Sequence, residues 1–128
     1  MIAADTSTWV AFLDKPATEN DTLLLKKALQ DEQVSMLPVV LTELLSDPHL
    51  PPAVASHLLS LPLIPIEPGF WQRAGALRAK VLANGRKARL ADSLIVQICL
   101  DADLPLITRD RDFRHFVAVS ALRLVPNP

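Results

Sequence analysis

Four carboxylates stand where they could act together: Asp5, Glu43, Asp92 and Asp110. Asp5 ends the apolar run Met1-Ile2-Ala3-Ala4, and Asp110 follows Pro105-Leu106-Ile107-Thr108. Glu43 comes shortly after Pro38-Val39-Val40, and Asp92 opens a helical pattern that reaches Ala102. If the apolar runs are parallel strands, all four acids gather at one edge of a sheet. Two carboxylates about 5 Å apart repel by roughly 3 kcal/mol at an effective dielectric near 20. Placing Glu43 and Asp92 in the first turns of their helices returns about 0.3–1 kcal/mol each, which is less than the repulsion. A hard divalent cation, Mg²⁺ or its substitute Mn²⁺, supplies the missing positive charge through oxygen ligands. Such a site can acidify a bound water and steady a pentacovalent phosphate, which is the chemistry of phosphodiester hydrolysis. Each acid also has an ordinary use. Asp5, Asp92 and Asp110 could cap a helix or turn, and Glu43 could pair with an arginine. Four such coincidences at one edge are harder to accept than a shared role.

The elements that must position these acids are readable from spacing. Strands are expected at Met1–Ala4, Val34–Leu37, Leu63–Ile66, Leu106–Thr108 and Leu122–Val125. Helices are expected at Thr6–Leu13, Asn20–Gln30, from Pro38 to about Asp47, at Pro52–Leu61, Trp71–Ala83 and Leu90–Ala102, with a short turn at Phe113–Phe116. Pro65 inside a strand places that strand at a sheet edge. Strands alternating with helices imply an α/β fold, a three-layer α/β/α sandwich with a mainly parallel central sheet. In such sheets ligands bind beyond the carboxyl ends of the strands. Helical phase puts Asp92 on the stripe shared with Ile95 and Cys99, facing inward.

The 128 residues fit one domain, 1–128, and half of them are hydrophobic, enough for a core. The net charge of −1 does not by itself indicate a nucleic-acid partner. Its distribution is more informative: residues 1–70 carry three lysines against nine acids, and residues 71–128 carry ten basic residues against five acids. Arg86, Lys87, Arg89, Arg109, Arg111 and Arg114 bracket Asp92 and Asp110. A local patch of this kind attracts phosphate even on a near-neutral protein. The single Cys99 excludes a disulfide framework and reads as a small buried hydrophobe. His49, His57 and His115 are scattered without zinc spacing. No signal peptide and no apolar run of membrane-spanning length is evident, so the expected compartment is the cytoplasm.

At these residues the chain resembles the PIN-domain family, and within it the VapC-like ribonuclease toxins. Ala4-Asp5-Thr6-Ser7 is similar to the first family motif, and Leu41-Thr42-Glu43-Leu44-Leu45 to the second. Leu90-Ala91-Asp92-Ser93-Leu94-Ile95 is similar to the third. Leu106-Ile107-Thr108-Arg109-Asp110-Arg111-Asp112-Phe113 is similar to the fourth and is the most specific of the set. The resemblance spans the whole chain and implies a PIN-like sandwich. It implies a Mg²⁺-dependent endoribonuclease, the toxin of a VapBC-type toxin–antitoxin pair, which leaves a 5′-phosphate and a 3′-hydroxyl. It also implies a VapB-like antitoxin whose tail lies over the active site, and a homodimer. Asp5, Glu43, Asp92 and Asp110 would be the catalytic and metal-holding acids, with Asp112 as an added ligand. Ser7 and Thr108 would support them by hydrogen bonding, and Arg109 and Arg111 would face substrate phosphate. The Val96-Gln97 pair departs from the small residues usual there and bears on helix packing. Two other readings remain at this point. A small phosphohydrolase would need an acid two residues after Asp5, where Ser7 stands. A catalytically weak metal-binding module would act through a protein partner.

Overall fold

The structure is a computed structural model and describes residues 1–126. Three parallel strands form the centre of the fold: β1 (Ala3–Ala4), β2 (Leu106–Ile107) and β3 (Leu124–Val125), in the order β1-β2-β3. Ala3 pairs with Leu106 and Ala4 with Ile107, and β2 continues the register onto Leu124 and Val125. The other side of β1 is also paired. Ile2 donates to the Gln33 carbonyl at 2.8 Å and accepts from the Ser35 amide at 2.9 Å, a parallel bridge to Val34. Met36 bridges to Leu63 in the same sense.

The expected strands at Val34–Leu37 and Leu63–Ile66 therefore shrink to single bridges. Proline is the physical reason. Pro38 is the first residue of the following helix, so the chain leaves the sheet directly after Leu37. Pro62 and Pro65 flank the other bridge, and neither has an N–H to extend a ladder.

The helices are α1 (Thr6–Asp14), α2 (Asn20–Gln30), α3 (Pro38–Leu45), α4 (Pro52–Ser60), α5 (Phe70–Ala83), α6 (Leu90–Ala102) and α7 (Arg114–Val117), with a 3-10 turn at Arg111–Phe113 before α7. α5 begins one residue earlier than its apolar spacing suggested. Phe70 is buried and Trp71 is exposed, and Gly69 takes a left-handed φ of +79° to turn the chain into the helix. The core joins the strands to α6, which buries Ile95, Val96, Ile98 and Cys99. Gln97 on that helix is also buried and donates to Asp101 at 2.8 Å. Asp101 in turn receives two hydrogen bonds from Arg73 of α5, at 3.1 and 2.6 Å. The unusual Gln97 thus belongs to a polar link between α5 and α6. Burial pushes the Cys99 thiol up to about 12, which suits an inert core residue. Among the described residues no helix is long and apolar enough to cross a membrane.

Candidate active site

Adjacent parallel strands deliver the first two acids to one edge. The Asp5 amide donates to the Ile107 carbonyl at 3.0 Å, so Asp5 leaves β1 beside the end of β2. Its side chain then caps α1 by accepting from the Thr8 amide at 3.1 Å. The Ser7 hydroxyl lies 2.9 Å from each Asp5 carboxylate oxygen, and the Thr108 hydroxyl donates to Oδ2 at 2.9 Å. Thr108 also accepts from the Asp110 amide at 3.0 Å, so one hydroxyl joins both acid-bearing segments. Asp110 caps the 3-10 turn, its Oδ1 accepting from the Asp112 amide at 2.9 Å. The capping roles open to Asp5 and Asp110 in the sequence are therefore real. They coexist with the shared edge, because a cap sits where a strand ends and a helix begins.

The other two acids come from helices. Asp92 is the third residue of α6, inside its first turn as expected. Glu43 departs from expectation: with Pro38 as the first residue of α3, it is in the second turn and beyond most of the helix-dipole benefit. It is exposed, and among the described residues no arginine holds it; its Oε1 accepts from the Thr6 hydroxyl at 2.6 Å. Thr6 was not singled out from sequence, although it lies inside the first motif.

Two of the four acids carry the mark of their neighbours' charge. Burial pushes the Asp92 carboxyl up to about 6, with the charge of Asp110 next and smaller contributions from Asp5 and Glu43, while Arg89 opposes them. Burial also raises Asp5; the Thr8 amide and the Thr108 and Ser7 hydroxyls oppose this, and the Asp110 charge adds to it. Among the described residues no three acidic, histidine or cysteine side chains stand in ion-binding spacing as they lie. Three of the four carboxylates instead rest in hydrogen bonds of their own, with Thr6, with Ser7, Thr8 and Thr108, and with the Asp112 amide. The donor set is all carboxylate oxygen, running from buried Asp5 through half-buried Asp92 and Asp110 to exposed Glu43, and it fits a hard divalent cation in type and charge.

Asp112 lies to one side. Its oxygens are 4.0 Å from Lys87 Nζ and 4.0 Å from His115 Nε2. Arg109 is committed elsewhere than the phosphate role expected of it. Its Nε and Nη2 donate to Asp21 at 2.8 and 3.0 Å, and Nη2 reaches Glu19 at 3.3 Å. Asp21 is buried and also accepts from the Thr8 hydroxyl at 3.0 Å. Burial alone would raise Asp21, but the hydrogen bonds from Arg109 and Thr8 hold it below the usual carboxylate range. This clamp joins the segment after β1 to the segment after β2. Sequence showed Asp21 only as a helix-start residue; nothing local marks a partner 88 positions away. Arg111 is exposed and in no ion pair among the described residues.

The PIN-domain family profile matches residues 2–118. No curated relative matches the sequence significantly. Solved structures share the fold. A chain of VapBC2 from Rickettsia felis, bound to a fragment of promoter DNA, superposes with a TM-score of 0.71 at 19% identity, covering 97% of both chains. A chain of DNA-bound VapBC from Salmonella typhimurium gives 0.71 at 19% identity, again covering 97% of both. A chain of VapBC-5 from Mycobacterium tuberculosis gives 0.65 at 20% identity, covering 97% of this chain and 96% of that one. With the family profile spanning most of the sequence and the fold shared over nearly its full length, the chain belongs to the PIN-domain family.

Proposed function

We propose that the protein is a divalent-metal-dependent endoribonuclease of a single domain, the toxin of a VapBC-type pair. The observation that carries this reading is that Asp5 and Asp110 leave adjacent parallel strands at one edge, joined by Thr108, with the charges of Asp110, Asp5 and Glu43 all acting on Asp92, in a family fold shared with toxin–antitoxin assemblies. Asp5, Glu43, Asp92 and Asp110 would hold Mg²⁺ or Mn²⁺, with Asp112 at the margin. Such an ion lowers the pKa of a bound water and offsets charge on the phosphate under attack. Ser7, Thr8 and Thr108 hold the Asp5 oxygens in place, and Thr6 orients Glu43. Arg111 is left available to the substrate, whereas Arg109 keeps the two strand ends in register. Few aromatic side chains are present to stack on bases, so recognition leans on phosphate and on accessible single strands. A phosphohydrolase reading is weaker, because both Asp5 oxygens already accept hydrogen bonds and the next-but-one residue is a serine.

The partner would be a VapB-like antitoxin encoded nearby, in a cytoplasmic setting and with the toxin as a homodimer. An apolar groove lined by Trp9, Phe12, Leu29, Val54 and Leu58 suits an amphipathic segment of such a partner. Through Leu13 and Val54 it adjoins a second depression that reaches Glu43. The Trp9 indole N–H is buried without an acceptor among the described residues, and a segment in the groove would offer one. The test is incubation of the pure protein with total RNA and tRNA. Cleavage in Mg²⁺, its loss in EDTA and its suppression by the neighbouring gene product are expected. RNA that stays intact in Mg²⁺ and Mn²⁺ alike would move the chain to a binding role.

A further inference from the structure

A cleft lies between the C-terminal end of α5 and α7, lined by Asn84, Arg86, Arg114, His115 and Ala118. No carboxylate lines it. Its two arginines are exposed, and neither is in an ion pair among the described residues. Arg73, Arg109 and Arg123, by contrast, are each paired with an acid. The cleft has fixed walls. Gly85 takes φ +70° after α5, and the Arg86 amide then donates back to the Val81 carbonyl at 3.2 Å. On the other wall Arg114 Nε donates to the Arg111 carbonyl at 3.3 Å. The cleft approaches the acids through Asp112. His115 and Lys87 stand 4.0 Å from Asp112, and the Asp112 amide is held by Asp110.

An acid cluster repels a polyanion, so a substrate strand needs unpaired cations beside it. Arginine meets phosphate oxygens through a planar fork and carries no base information. We propose that this cleft binds the phosphodiester backbone of single-stranded RNA next to the bond that is cut. The inference rests on the nuclease reading and assigns the strand's path. With no Phe, Tyr or Trp among its lining residues, the cleft grips charge and leaves sequence choice to other parts of the surface.

The test pairs Arg86→Gln with Arg114→Gln, which removes both charges and leaves polar side chains at two exposed positions; a thermal melt confirms folding. In an Asp92→Asn background that prevents cutting, a labelled RNA oligonucleotide is titrated across a range of salt. The double substitution is expected to weaken binding about tenfold at low salt and to flatten the slope of log Kd against log salt by about 1.4 for two lost phosphates. In the otherwise wild-type chain it should also erase the kcat/KM advantage of long oligonucleotides over short ones. Unchanged affinity and slope in a chain that does cut RNA would overturn the cleft and leave the nuclease reading standing. A wild-type chain that cuts no RNA would overturn the nuclease reading, and with it a strand path beside a cut bond, even if binding is lost with the two arginines.

Discussion

Asp92→Asn is expected to leave the fold intact and lower RNA cleavage by about a thousandfold or more, a loss of roughly 4 kcal/mol of transition-state stabilisation. The substitution removes the negative charge on which the charges of Asp110, Asp5 and Glu43 act, at nearly constant shape. It should also raise the melting temperature at neutral pH. Burial and the charges of Asp110, Asp5 and Glu43 place the folded Asp92 carboxyl at about 6, against 3.8 when exposed. The folded state therefore holds this proton more tightly than the unfolded state. The stability it contributes is complete below 3.8 and is lost as pH rises through about 6. Above that window the wild type carries a destabilising charge that asparagine lacks, and the gap in melting temperature should close as pH falls through it. Melting curves across pH, together with single-turnover cleavage, check both halves. A variant that cuts at the wild-type rate would remove Asp92 from the site.

Asp21→Ala should be damaging although Asp21 lies outside the set of four acids. It deprives a buried clamp of its acceptor and leaves Thr8 and Arg109 short of their shared partner. Breaking a buried ion pair from one side costs about 3–5 kcal/mol. Arg109 retains Glu19 and its side chain is 31% exposed, so we expect about 2–3 kcal/mol here. Cleavage should fall as well, because the Thr8 amide holds Asp5 and Arg109 lies between Thr108 and Asp110. Chemical denaturation gives the first quantity and kcat the second. An Asp21→Ala chain that unfolds at the wild-type denaturant midpoint would show that the clamp contributes nothing.

These contrasts mark what local sequence can encode. Asp5, Asp92 and Asp110 were legible because a strand end or a helix start sets their place, and apolar spacing reveals both. Glu43 was placed a turn too early, since its helix phase depends on Pro38 taking the first helical position. The helices were legible to within a residue or two at their ends, whereas all five strands were overread: three shorten to two residues each and two to single bridges. Proline limits a ladder through a missing donor, and apolar spacing carries no trace of that. The Asp21–Arg109 clamp was illegible for a different reason. Its members are ordinary surface-type residues until the sheet brings them together. Arg109 is drawn into that clamp, whereas Arg111 and the arginines of the α5–α7 cleft are exposed and in no ion pair among the described residues.

The central claim is that Asp5, Glu43, Asp92 and Asp110 act as one metal centre. Calorimetric titration of Mn²⁺ into the protein without RNA tests it most directly, in the wild type, Asp92→Asn and Asp5→Asn. Binding by the wild type, weakened at least about tenfold by either substitution, is the predicted result. Equal affinity in all three proteins, or no binding by the wild type, would contradict it.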